Sequence, residues 1–235
     1  MGVGFLFSHS LVWYHFSGMI ISYLGHSCFK IKGKEASVLT DPFSPSVGFK
    51  MPRVSADIVL VSHSHEDHNF VQQVEGNPFV ISEPGEYEVK GVEILGIDTF
   101  HDSVGGKERG RNIVYHFKCD GISLVHLGDL GCKLTPNQVE DLNGVDILFV
   151  PVGGFYTIDL PLVHQIISQL EPKIVIPMHF KTEKHNPEIF GKLNSLDVFL
   201  KEMGEEDIRP EKKLKIKSRT QLPEERKIVV LEKHG

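Results

Sequence analysis

ADIVLVSHSHEDH, residues 56–68, carries an apolar run straight into His63, His65, Asp67 and His68, four potential metal ligands within six positions. On an extended chain, side chains two apart point the same way, so His63 and His65 can face one ion. Asp67 and His68 follow where the chain turns, and reach a second point nearby. Neutral imidazole and carboxylate are ligand types that zinc, iron and manganese all accept.

Working outward, other His and Asp residues close apolar runs: ILGIDTFH ends on His101, ISLVHLGD on Asp129 and KIVIPMH on His179. If those runs are strands lying side by side, their ends share one edge and their ligands gather there. A fold, rather than a local peptide, would then assemble the site.

The first half of the chain is dominated by short apolar runs bounded by turn residues, which read as strands: MIISYL, SCFKIKG, ASVLTD, NPFVIS, YEVKGVEILGI and RNIVYHF among them. Helical patterns are fewer. They cover HNFVQQV after the histidine cluster, LTPNQVEDL with Thr135 as N-cap and Pro136 at the first helical position, LPLVHQIISQL, and NPEIFGKLNSLDVFLKEM. KKLKIKS and RKIVVLE read as a closing hairpin or two neighbouring strands. This order suggests sheets packed together with helices on their outer faces.

The 235 residues suffice for one full core, and a net charge of -6 with interleaved signs offers no field for a phosphate backbone or an anionic membrane. Nucleic acid and membrane partners are therefore not expected. Cys28, Cys119 and Cys132 show no close pairing, which fits a reducing cytoplasm better than a disulfide framework. Residues 1–18 lack the basic start and cleavage site of a secretion signal, and read as a peripheral N-terminal extension before the strand pattern that opens at Met19.

HSHEDH resembles the H-x-H-x-D-H signature of the metallo-β-lactamase superfamily, and His101, Asp129 and His179 fall in the order of its later ligand motifs. The resemblance covers nearly everything from Met19 onward. More narrowly, GHSCFKI, TDPF, HLGD and PKIVIPMHF are similar to the branch containing the bacterial ascorbate-phosphate lactonase. The resemblance implies an α+β fold, a four-layer αββα sandwich, with residues 19–235 as a hydrolase domain. It implies one metal held by His63, His65 and His101, another by Asp67, His68 and His179, and Asp129 bridging them. Two divalent ions, zinc first with manganese or iron as alternatives, would activate a hydroxide against a carbonyl or phosphoryl centre. Asp67 would be the catalytic carboxylate that orients it. The expected partner is a small-molecule substrate, such as a lactone or a phosphorylated metabolite.

Three rivals were weighed. A nuclease or phosphodiesterase would want a basic surface. Di-iron redox relatives carry a glutamate where this chain has His65. A non-catalytic metal-binding module would be expected to have lost some ligands, whereas every expected position is filled.

Other polar residues have blander readings. Asp41 in LTDPF is either a turn former or a carboxylate orienting a ligand histidine. His26 reads more readily as a turn residue than as part of the site, His126 as core, and His116, His164, His185 and His234 as structural or exposed. The loop GGKERGRN, residues 105–112, reads as a mobile connection before it reads as an anion site. Phe155, Tyr156, Phe180 and Lys181 are candidates for shaping the pocket.

Overall fold

The computed structural model describes residues 18–234, so the expected extension at residues 1–18 lies, but for Gly18, outside the described residues. In chain order the strands are β1 (Met19–Gly25), β2 (Cys28–Lys32), β3 (Ser37–Thr40), β4 (Val54–Ser55), β5 (Ile58–Leu60), β6 (Val74–Glu75), β7 (Phe79–Ile81) and β8 (Gly85–Val89). They continue as β9 (Val92–Phe100), β10 (Arg111–Cys119), β11 (Ile122–His126), β12 (Ile147–Pro151), β13 (Ile174–Met178), β14 (Leu214–Ile216) and β15 (Lys227–Ile228). The helices are α1 (Pro136–Asp141), α2 (Leu160–Leu170), α3 (Pro187–Phe190) and α4 (Leu196–Glu202).

Two mixed sheets form the sandwich, in the orders β14-β1-β2-β3-β5-β7 and β15-β13-β12-β11-β10-β9-β8. Alternation along the first sheet explains how it is covered on both sides. Ile58 and Leu60 of β5 enter the core shared with the second sheet, while Val59 and Val61 enter a smaller cluster on the outer face with Leu39, Phe43 and Phe190. On the second sheet, β11, β12 and β13 are buried throughout, as strands covered on both faces must be. Helix α2 turns Val163, Ile166, Ile167 and Leu170 onto that core. The architecture is thus α+β, an αββα sandwich, as expected.

One topological fact positions the site. β9 and β11 both run antiparallel to β10, and β11, β12 and β13 are mutually parallel, so β9, β11 and β13 share one direction. Their C-terminal ends, which lead into His101, Asp129 and His179, therefore lie on one edge. The sheets are cross-tied at that edge. Ile113 N donates to Ser62 O at 2.8 Å, His179 N donates to His26 O at 3.0 Å, and Tyr115 Oη lies 2.8 Å from Val61 O.

Helix α1 starts as its sequence demands, with a reciprocal capping box between Thr135 and Gln138 and Pro136 in the first turn. Three expectations are corrected. HNFVQQV forms only a 3-10 turn at Val71–Gln73, because Val74 leaves it to pair with Val54 in the two-stranded β4–β6 ladder. The helix expected over residues 186–203 is two short ones. Between α3 and α4, Asn194 leaves the helical ladder, donating from its N to Gly153 O and accepting from Lys181 N. The two C-terminal strands are not neighbours: β14 pairs with β1 in the first sheet, and β15 with β13 in the second. Among the described residues, no helix is long and apolar enough to cross a membrane.

Candidate metal centre

The site is built from a carboxylate outward. β3 ends at Thr40, and Asp41 follows with φ 39°, a left-handed conformation that Asp tolerates better than most residues. Its Oδ1 accepts from Ser62 N at 2.7 Å, and its Oδ2 from Ser62 Oγ at 2.7 Å and from His68 Nδ1 at 2.9 Å. Ser62 Oγ, its proton given to Asp41, accepts from His63 Nδ1 at 2.9 Å. Both imidazoles are thereby protonated at Nδ1, and each turns an Nε2 lone pair inward. Asp41 is thus both readings at once, a turn residue and an orienting carboxylate.

The ligand atoms of His63, His65 and His101 lie within 4.8 Å of one another, as do those of His26, Asp67, His68 and His179, and those of His63, His68 and Asp129. Asp129 stands between the groups. Its Oδ2 is 3.1 Å from His179 Nε2, 3.4 Å from His68 Nε2 and 3.5 Å from His101 Nε2. Asn112 Oδ1 holds Asp129 in place by accepting from its N at 2.9 Å. Gly128, at φ 56°, lets the chain pass: a Cβ there would sit 2.4 Å from Asn112 Oδ1. All seven residues singled out from the sequence are brought to this one place.

Buried polar atoms normally find partners, yet His63 Nε2, His68 Nε2 and Asp129 Oδ1 have none. Oriented lone pairs and a carboxylate oxygen, orphaned and converging, are what a divalent cation would satisfy, so the residues fit such ions. The electrostatics agree. Burial alone would raise the Asp129 carboxyl, but His179 and His68 hold it well below the usual carboxylate range. Burial lowers His68, but the carboxylates of Asp129, Asp67 and Asp41 override it and hold the imidazole well above its ordinary value. A site that must protonate a buried histidine to balance its charge is short of positive charge. His63 is held well below its ordinary value, first by burial and then by the proximity of His68.

Sequence reasoning underrated two histidines. His26, at φ 56°, is fully buried, with Nε2 3.1 Å from Asp67 Oδ2 and Nδ1 3.3 Å from His185 Nε2. His185 in turn has Nδ1 2.8 Å from Thr182 Oγ1. Burial, then His179, holds His26 down to about 4. The one signal for it was its place in GHSCFKI, since nothing local couples it to Asp67. His126 is in the core as expected, with Nε2 2.9 Å from Ser27 O.

A cavity of about 330 Å³ opens onto the ligands, with His65 at its exposed side and Arg109, Tyr156, Ile189 and Phe190 completing its wall. Of the aromatic and basic candidates only Tyr156 lines it. Phe155 stacks on Tyr156 from the surface, Phe180 packs with Tyr23, and Lys181 Nζ donates to Gly191 O. The loop at residues 105–112 is also corrected. Asp102 accepts from the backbone N of Val104, Gly106, Glu108 and Arg109 at 2.8–2.9 Å and ties it down. A roomier groove of about 560 Å³ along β8, β9 and β10 contains none of the three ligand groups, so size does not mark the site.

Residues 20–179 match the β-lactamase superfamily domain. A Thermotoga maritima crystal structure, described as a Zn-dependent hydrolase of the metallo-β-lactamase superfamily, is 40% identical with a TM-score of 0.74, covering 91% of this chain and 98% of that one. Proteins named UPF0173 metal-dependent hydrolase are also similar. That of Thermococcus onnurineus is 29% identical over 79% of this chain and 97% of its own length, and that of Thermoplasma volcanium 31% over 67% and 82%.

Proposed function

We propose, from the premise that the chain belongs to the metallo-β-lactamase superfamily and is one of its metal-dependent hydrolases, a dinuclear hydrolase of small substrates. In this reading His63, His65 and His101 hold one divalent ion, Asp67, His68 and His179 hold the other, and Asp129 is shared. Two such ions supply a water of lowered pKa and an electrophile for the substrate's carbonyl or phosphoryl oxygen. The observation that carries the reading is the orphaned set of His63 Nε2, His68 Nε2 and Asp129 Oδ1 in a buried, charge-deficient pocket.

The chain's own residues do the rest. Asp41 fixes the tautomers of His63 and His68, so two ligands are ready before any ion arrives. His26 occupies Asp67 Oδ2, which leaves Oδ1 to orient the attacking water and take its proton. Ile189, Phe190 and Tyr156 keep the cavity wall dry on the side facing Asp67 and His179. Zinc is the first choice of ion, with manganese and iron open to a donor set without thiolate. A lactone or a phosphorylated metabolite in a reducing cytoplasm is the substrate class implied by the similarity to the lactonase branch, with residues 19–235 as the working domain.

The test is elemental analysis of protein purified without chelator, beside Asp129→Ala. About two metals per chain, falling in the variant, is the expected result. A native protein that takes up none when supplied with zinc, manganese or iron would sink the proposal in favour of a non-catalytic role.

A further inference from the structure

We infer that Arg109 is the anchor for an oxyanion group, carboxylate or phosphate, carried by the substrate away from its reacting centre. The inference rests on the hydrolase reading above and gives that site a substrate class.

The first support is rigidity. The loop leaves β9 through His101 and Asp102, and the Asp102 carboxylate gathers four backbone N–H groups, the last of them Arg109's own at 2.8 Å. The guanidinium is therefore presented from a fixed backbone one short loop away from a proposed ligand. Its stem is steadied from the opposite wall, where the Tyr156 ring centroid lies 5.6 Å from Arg109 Cζ, and Tyr156 Oη donates to Ile189 O at 2.6 Å.

The second support is unspent capacity. A guanidinium carries five N–H donors in a planar fork. Among the described residues no hydrogen bond starts from Arg109's, and its one ion pair is a 3.7 Å contact with Glu108, whose carboxylate is 66% exposed. Such a pair contributes little and leaves the fork free. Surface arginines are often in that state, but this one walls the same cavity as His65, Asp67, His101, Asp129 and His179.

The third support is the balance of the cavity. Its only carboxylates are Asp67 and Asp129, both assigned to cations, and the remaining wall is Tyr156, Ile189 and Phe190. A substrate reacting at the ligand cluster lays its other end against Arg109. A neutral end would desolvate a cation with nothing in return, whereas an oxyanion takes two parallel N–H bonds from the fork.

The experiment is calorimetric titration of metal-loaded protein with succinate, with 3-phosphonopropionate and with butyrate, on wild type, Arg109→Gln and Arg109→Lys. Butyrate offers one anionic end to the cluster, and each dianion offers a second to Arg109. Wild type is expected to prefer at least one dianion over butyrate by about tenfold to a hundredfold, with the stronger one identifying the group recognised. That preference should fall to about one in Arg109→Gln and survive in part in Arg109→Lys, which keeps the charge and loses the fork. No preference in wild type, or an undiminished one in Arg109→Gln, overturns the inference. Metal content measured on each sample separates the failures. A fully loaded protein without the preference refutes Arg109's role alone, whereas a protein that cannot be loaded refutes the dinuclear reading and this inference with it.

Discussion

Replacing Asp41 by Asn isolates the carboxylate from the turn it occupies. Asn tolerates the left-handed conformation as readily as Asp, so φ 39° carries no new cost and the backbone path should survive. What changes is the chemistry at Oδ2, which accepts from both Ser62 Oγ and His68 Nδ1. If an NH2 group replaces it, His68 Nδ1–H faces another donor; if the amide flips, Ser62 N does. Either way Ser62 Oγ loses its charged acceptor, and with it the reason to accept from His63 Nδ1. One ligand of each proposed ion is thus released from its tautomer by a single substitution. Loss of a carboxylate partner behind a metal-bound histidine typically weakens binding about 10- to 100-fold, or about 1.4 to 2.7 kcal/mol per site. Both sites should weaken, because both histidines hang from Asp41. The assay is competition for zinc against a chromophoric chelator, with circular dichroism to show that the fold is kept. Affinities within twofold of wild type at both sites would refute the tautomer argument and return Asp41 to a plain turn residue.

Two further predictions separate neighbouring parts of the site. His26→Ala removes the donor to Asp67 Oδ2 but touches no member of the His63, His65, His101 group. The same competition assay should therefore show one ion weakened about tenfold and the other retained, and equal weakening of both would contradict that division of labour. In metal-free protein, stability should fall as pH drops from about 6.5 toward 4. His26 is held near 4 when folded but titrates near 6.5 when unfolded, so below 6.5 protons favour the unfolded chain. A shift of that size is worth about 3 kcal/mol once pH reaches 4. His185, held down to about 3 by burial and by His26, adds in the same direction, while His68, raised when folded, opposes them and loses its contribution as pH climbs above 6.5. Urea midpoints at pH 7, 6, 5 and 4 read this directly, and a flat profile would show that these histidines are not buried as neutral groups.

The ligands legible in the sequence share one property: each closes an apolar run. Asp129 after ISLVHLG and His179 after KIVIPM stand where a buried strand abruptly becomes polar, and that change is written locally. His26 and His185 belong to the same chemistry but meet Asp67 only because two sheets dock, and no spacing records a contact across 159 or 41 positions. The C-terminal strands failed for a different reason. With three and two paired residues, β14 and β15 are too short for their pattern to choose a partner, and the edge strands available to them belong to different sheets. The loop before Arg109 was misread because glycines and charges suggest motion, whereas the anchor is a single aspartate whose four bonds are all to backbone.

Three of the six described non-glycine residues with positive φ are His26, Asp41 and His179. Each sits where a strand ends, and His179 N reaches across to His26 O. Left-handed backbone costs an ordinary residue about 1 to 2 kcal/mol, so neither strand end would hold its shape without the other sheet pressed against it. During synthesis the HSHEDH cluster emerges well before the strand that ends at His179, and until that strand docks it is a loose chelating peptide. The polypeptide therefore cannot load its ions correctly as it leaves the ribosome. Metallation becomes a checkpoint on finished assembly, and a chain arrested short of β13 would be born without it.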